Sequence, residues 1–167
     1  REEKSPRTLF AAARRLPLDA GIRIDHVGGP LDAELGAAAA ECMAGCANYN
    51  WLGDCSHTET RNRIQRAHVL IHPSRMEGGA NVVIEALQSG TPVLASRIPG
   101  NVGLLGADYP GYFEWDDDAR LAGLLMECRA TQQDRNGLLA ILAMYCIRRA
   151  PLFDPAREQQ HLRDWVH

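Results

Sequence analysis

The stretch 69-VLIHPSRMEGGANVVIE-85 decides the fold. Its apolar opening, Val69-Leu70-Ile71, reads as a strand that breaks at His72-Pro73-Ser74. A loop through Glu77-Gly78-Gly79-Ala80-Asn81 follows, and Val82, Val83, Ile84, Ala86 and Leu87 then read as a helix. Strand, glycine loop and helix together suit an anionic ligand. The glycines let backbone N–H groups come close to it, and the helix start adds unpaired donors and partial positive charge. Gly78, Gly79, Ala80, Asn81 and Val82 are therefore candidate ligand contacts. Two acids frame the loop. Glu77 precedes the helix and Glu85 lies about one turn inside it, among apolar neighbours; a charge in that setting is costly unless paired, and the sequence shows no obvious partner.

On the N-terminal side, Ser5 as N-cap and Pro6 as first helical residue predict a helix through Thr8 to Arg15. Lys4 then stands at a helix N-terminus, where it and the helix dipole act on the same anion. Ile22 to Val27 alternates as a strand and ends in the tight turn Gly28-Gly29-Pro30. An Ala-rich helix runs from about Leu31 to Gly45, Asn48 to Leu52 is a short strand, and Ser56-x-x-Glu59 is a capping box for a helix to about Arg66; Ala67 to His72 is the strand described above. On the C-terminal side, Pro92 to Ser96 reads as a buried strand, Ile98 to Leu105 as a loop or short helical turn, and Gly111 to Glu114 as an edge strand. Asp116, Asp117 or Asp118 caps a helix to about Ala130, a second helix runs from about Gln133 to Arg149, and Asp154-Pro155 starts a terminal helix over about 155–167. This alternation predicts an α/β, Rossmann-like parallel sheet with helices on both faces, in one domain over 1–167. Ligands of such sheets sit at the carboxyl ends of the strands, where the loops at Gly28-Gly29, Gly53-Asp54 and Glu77 to Asn81 converge.

A net charge of −3 and 6% aromatic residues give no basic field for nucleic acid, and no apolar run approaches membrane-spanning length, so a soluble cytoplasmic protein is expected. The five cysteines form no C-x-x-C and follow no signal-peptide pattern; they read as reduced, buried thiols, Cys42 and Cys46 sharing a helix face. No metal and no cofactor are expected. Asp116-Asp117-Asp118 contains D-x-D, but it precedes a helix and reads as ordinary capping, and His26, His68 and His72 read as packed structural groups. The chain does not begin with Met and reads as a fragment or a processed chain.

The pattern P-S-x-x-E-G-x-x-N-x-x-x-E-A-L-x-x-G-T-P-V, from Pro73 to Val93, resembles the nucleotide-sugar-binding half of retaining GT-B glycosyltransferases of group 1 (family 4). The resemblance runs over nearly the whole chain. Ser96 to Leu105, Asp108 to Phe113, Lys4-Ser5-Pro6 and Ala150 to Pro155 are similar to one subgroup, the selenosugar synthases of selenoneine biosynthesis. Gly79 and Ala80 stand where Phe-Gly is more usual, and Gly103 where a glutamate is common. The resemblance implies that Lys4 contacts the donor's diphosphate and that Glu77, nearer the glycine loop, addresses the sugar; these are the candidate catalytic residues. The two oxygens of Glu85 suit the adjacent hydroxyls of a ribose. A UDP-sugar donor is implied, with UDP-N-acetylglucosamine and selenophosphate as the subgroup's pair, and transfer without bound metal. The partner implied is an N-terminal acceptor-binding domain that the chain lacks, so the chain binds without turnover and its final helix reaches back to that domain. An arginine usual five residues before Lys4, and most of the strand feeding the first helix, fall before Arg1. The alternatives are a GT-B phosphorylase or epimerase and, from another class, a non-catalytic nucleotide-binding or scaffold domain.

Overall fold

The structure, a computed structural model, describes residues 2–154; the terminal helix expected over 155–167 lies outside them. After a 3-10 turn, Glu2–Lys4, strands and helices alternate: α1 (Pro6–Arg15), β1 (Ile24–Val27), α2 (Ala33–Gly45), β2 (Tyr49–Gly53), α3 (His57–Arg66), β3 (Leu70–His72) and α4 (Asn81–Ser89). The second half adds β4 (Val93–Ser96), α5 (Pro99–Leu105), β5 (Tyr112–Phe113), α6 (Asp118–Ala130) and α7 (Leu138–Arg149), closed by a 3-10 turn at Ala150–Phe153.

All strand pairs are parallel, as the alternation requires, but they form two sheets, β1-β2 and β3-β4-β5. β4 lies between β3 and β5, with Leu70 opposite Val93 and Ala95 opposite Tyr112. Flanked on both edges, every residue of β4 is buried, which is why it reads as a continuous apolar run. β1 and β3 do not pair with each other; their facing edges line a cavity of about 1180 Å³ that Ile22, Ile24, Leu70 and Ile71 border. α1 packs on α2 and α6, α4 on α3 and α7, α5 on α4 and α7, and α6 also meets α7. Val83, Leu87, Leu94, Leu105, Phe113, Leu124 and Leu142 are fully buried between strands and helices.

Local chemistry sets the boundaries. The capping box is formed: Ser56 Oγ accepts from Glu59 N–H at 3.2 Å, and Ser56 N–H donates to Glu59 Oε2 at 2.9 Å. Gly90, left-handed at φ 69°, stops α4, and Thr91 donates its amide to Ala86 O at 2.9 Å and its hydroxyl to Ile64 O at 2.9 Å. Several expected boundaries move. α2 starts two residues later than expected because Asp32 is its cap, accepting from Glu34 and Leu35 amides. The helix expected from Gln133 begins only at Leu138, since Asp134 to Gly137 form turns and the Thr131 hydroxyl accepts the Leu138 amide. Residues 98–105, open between loop and helix in the sequence, contain α5. Ser5 occupies the N-cap position of α1 but makes no cap hydrogen bond; it is left-handed, at φ 48° and ψ 50°.

Candidate functional site

β3 ends at His72 because Pro73 offers no N–H to continue the ladder. The chain then turns through buried Ser74, whose hydroxyl donates to Glu77 Oε1 at 3.1 Å. Lys4 Nζ, 73 residues away in sequence, pairs with the same oxygen, and His72 Nε2 stands 3.7 Å from it. Three groups thus converge on Oε1, and among the described residues no hydrogen bond reaches Glu77 Oε2. Burial works to raise the Glu77 carboxyl pKa, but the Lys4 ammonium and the Ser74 hydroxyl outweigh it and hold the pKa below the ordinary value. His72 has its own pKa lowered, first by burial and further by Lys4 against the pull of Glu77, so it is neutral at pH 7. The sequence places His72 as a packed structural group; it is packed, and it also backs the acid.

Gly79 has φ +154°, and α4 begins immediately after, with Ala80 at its N-cap and no side chain capping it. The start of α4, on the chain just after Glu77, therefore keeps the Asn81 and Val82 amides without a partner among the described residues. Gly100, near the start of α5, stands against the Glu77 carbonyl so closely that no side chain fits there. Glu85, one turn into α4, has a partner after all: its Oε1 meets His57 Nε2 at 2.8 Å across the α3–α4 contact. Its other oxygen, Oε2, is buried and has no partner among the described residues.

Gly28 and Gly29 lie at the carboxyl end of β1, as expected, but their amides are already engaged. Gly28 N–H donates to Gly53 O at 2.8 Å and Gly29 N–H to Asp54 Oδ1 at 2.7 Å, while Trp51 Nε1 donates to Gly28 O at 2.8 Å. This turn closes the β1–β2 end, with both glycine amides bonded within the chain. It does shape the site: Gly28, Gly29, Lys4, Ser74 and Val82 border one common cavity.

Most of the other candidates make structural contacts. His26 Nδ1 bonds Tyr49 Oη at 2.6 Å, and burial lowers its pKa. His68 is exposed, which corrects its placement as a packed group, since β3 starts only at Leu70 and leaves it in the connection. Asp117 caps α6, accepting from Arg120 N–H at 2.8 Å, Asp118 pairs with Arg15, and Asp116 accepts from the Thr8 hydroxyl at 3.0 Å. Four of the five thiols are buried and Cys55 is half-buried; burial pushes the Cys42 thiol up to about 11. Among the described residues no helix is long and apolar enough to cross a membrane.

A parallel α/β fold with a lysine, two acids and an uncapped helix start after β3 has the chemistry to hold an anion. The sequence profile of the family "Glycosyl transferases group 1" matches residues 1–130, and the chain belongs to that family. It is 31% identical over 102 residues to the D-inositol 3-phosphate glycosyltransferase of Mycobacterium tuberculosis H37Rv, covering 58% of this chain and 21% of that protein. The chain thus spans about a fifth of the length of this curated relative. The fold matches that of the Anabaena protein Alr3699/HepE, solved in complex with UDP-glucose, with a TM-score of 0.79 at 17% identity over 99% of this chain and 46% of that one. It also matches the pneumococcal O-GlcNAc transferase GtfA, solved in complex with UDP and GlcNAc, with a TM-score of 0.71 at 19% identity over 99% of this chain and 33% of that one. The architecture is that of GT-B glycosyltransferases.

Proposed function

We propose that this chain is the donor-binding half of a metal-independent, retaining-type glycosyltransferase that takes a UDP-sugar. One observation carries the reading: Glu77, paired with Lys4, lies on the loop that leads into the uncapped start of α4, and one turn into that helix a Glu85 carboxylate oxygen is buried with no partner among the described residues. Lys4 and the α4 backbone donors take the diphosphate and, in the reaction, the charge that grows on the leaving group. Glu77, its Oε1 held by Lys4 and Ser74, presents Oε2 to a sugar hydroxyl, and Glu85 presents Oε2 to the ribose hydroxyls.

The donor we favour is UDP-N-acetylglucosamine, with selenophosphate as acceptor, on the strength of the resemblance carried by residues 96–113. The acceptor side belongs to an N-terminal domain of a longer cytoplasmic protein, with 1–167 as one Rossmann-like domain. The cavity between β1 and β3 supports that organisation, because a strand feeding α1 from before Arg1 would pair there with both facing edges. Equilibrium dialysis of residues 1–167 against radiolabelled UDP-glucose tests the binding claim. Retention that unlabelled UDP displaces is expected, and absence of retention by the folded chain overturns the proposal.

A further inference from the structure

Ser5 and Asp116 are the two non-glycine residues with positive φ among the described residues, at 48° and 67°, and they belong to two segments that bind each other. Trp115 Nε1 donates to Ser5 Oγ at 2.8 Å, and the Thr8 hydroxyl donates to Asp116 Oδ1 at 3.0 Å. The Arg75 guanidinium lies over the Trp115 ring, 5.1 Å from its centroid, and the Arg75 amide donates to Glu3 O at 2.7 Å. Lys4 is therefore flanked by two anchored neighbours. Glu3 is tied to the loop that carries Glu77, and Ser5 is tied to the tryptophan on which that same loop's Arg75 rests.

A side-chain-bearing residue persists in the left-handed region only where its surroundings hold it there, and such residues gather where geometry matters to function. Nothing about the fold of α1 demands it here. Pro6 starts the helix by itself, and Ser5 gives no cap. The left-handed Ser5 joins α1 to the Glu2–Lys4 turn, from which Lys4 pairs with Glu77. Trp115 is 45% exposed and borders an open cavity of about 350 Å³ shared with Ser5 and Arg75, so packing alone does not fix its ring. Its Nε1 bond to Ser5 and the Arg75 contact do.

We propose that Trp115 is a positioning residue: through Ser5 and Arg75 it holds Lys4 against Glu77 and so sets the grip on the phosphate end of the donor. The consequence for the donor rests on the nucleotide-sugar reading above, whereas the effect on the Lys4–Glu77 pair does not. Trp115→Phe removes the N–H donor and keeps a ring under Arg75. Ser5→Ala removes the acceptor.

Titration of the Glu77 carboxyl by carbon-13 NMR, with no ligand present, reads the pair directly. In the parent chain it titrates below the ordinary carboxylate value. In Trp115→Phe and in Ser5→Ala it moves up toward that value, and the double variant moves it no further, because both changes cut the same bond. With ligand, both variants weaken UDP by about tenfold, the scale of one charge-assisted contact, and leave the weak binding of uridine unchanged. A folded Trp115→Phe chain with the parent Glu77 titration overturns the proposal, as does additivity in the double variant. Loss of uridine and UDP binding in equal proportion also overturns it. If the parent chain binds no UDP, the nucleotide-sugar reading fails while the carboxyl titration still decides the role of Trp115.

Discussion

Replacing Glu85 by alanine should change ligand affinity and fold stability in opposite directions. Among the described residues one Glu85 oxygen has a single partner, His57, whose side chain is 76% exposed, and the other oxygen is buried without any partner. Solvent competes for the exposed pair, so its loss removes little stability. The unpartnered oxygen is a desolvation cost that the alanine variant no longer carries, on the order of 1–3 kcal/mol for a buried polar group with no bond. Removing one CH₂ of packing gives back about 0.8 kcal/mol. The variant should therefore be as stable as the parent or slightly more so. Under the proposed function the same carboxylate accepts ribose hydroxyls, and hydrogen bonds to a charged group contribute about 1.5–3 kcal/mol, so UDP affinity should fall by about 10- to 100-fold. Calorimetric titration with UDP and with 2′-deoxy-UDP, beside urea unfolding, measures both. The parent should prefer UDP over the deoxy ligand, and the variant should bind the two alike. Equal UDP affinity in parent and variant, or a loss of affinity accompanied by a matching loss of stability, refutes the reasoning.

Four further outcomes follow from the same geometry. Lys4→Ala should weaken UDP far more than uridine, and a uniform loss on both ligands in binding titrations would place Lys4 away from the phosphates. Chelation by EDTA should leave UDP affinity unchanged, because the phosphate partners are a lysine and backbone donors; loss of binding restored by magnesium or manganese contradicts that scheme. Tyr109→Phe should destabilise the fold by about 1–3 kcal/mol in urea, since the buried Tyr109 hydroxyl donates to Val93 O at 2.6 Å and accepts from Val93 N–H at 3.0 Å, and both backbone groups lose that partner. His26 and His72 have folded pKa values lowered by burial, so the unfolded chain takes up protons first, near the ordinary histidine value of about 6.5. Stability held above that pH should fall as pH drops through the folded values, and a urea midpoint at pH 5.5 equal to that at pH 7.5 would contradict it.

The parallel α/β fold is legible in the sequence because its signals are local. The run through β3, the glycine loop and α4 shows a change of period at fixed glycines, Ser56 and Glu59 form the capping box their spacing announces, and the buried run of β4 reads as apolar throughout. What sequence reading misses is set by contacts between distant elements. His57 reaches Glu85 from 28 residues away, and nothing in the spacing of either residue shows it. The Gly28-Gly29 turn has the composition of a phosphate loop, yet Gly53 at the end of β2 and Asp54 just after it take its donors. Ser5 has the composition of an N-cap, and Trp115, 110 residues on, claims its hydroxyl instead. The split between the β1 and β3 edges is likewise invisible, because every strand present carries the pattern of a continuous sheet. Gly100 carried a usable signal, a Pro-Gly pair after a buried strand, but not the identity of the Glu77 carbonyl it makes room for.

The most direct test of the account is where a nucleotide sugar sits on the chain. Hydrogen exchange of residues 1–167, followed by mass spectrometry with and without saturating UDP-glucose, reads this peptide by peptide. Exchange should slow over residues 77–85 and around Lys4, with peptides in α7 unchanged. Binding that leaves residues 77–85 unprotected while protecting another part of the chain would contradict the assignment of the site to Lys4, Glu77, Glu85 and the start of α4.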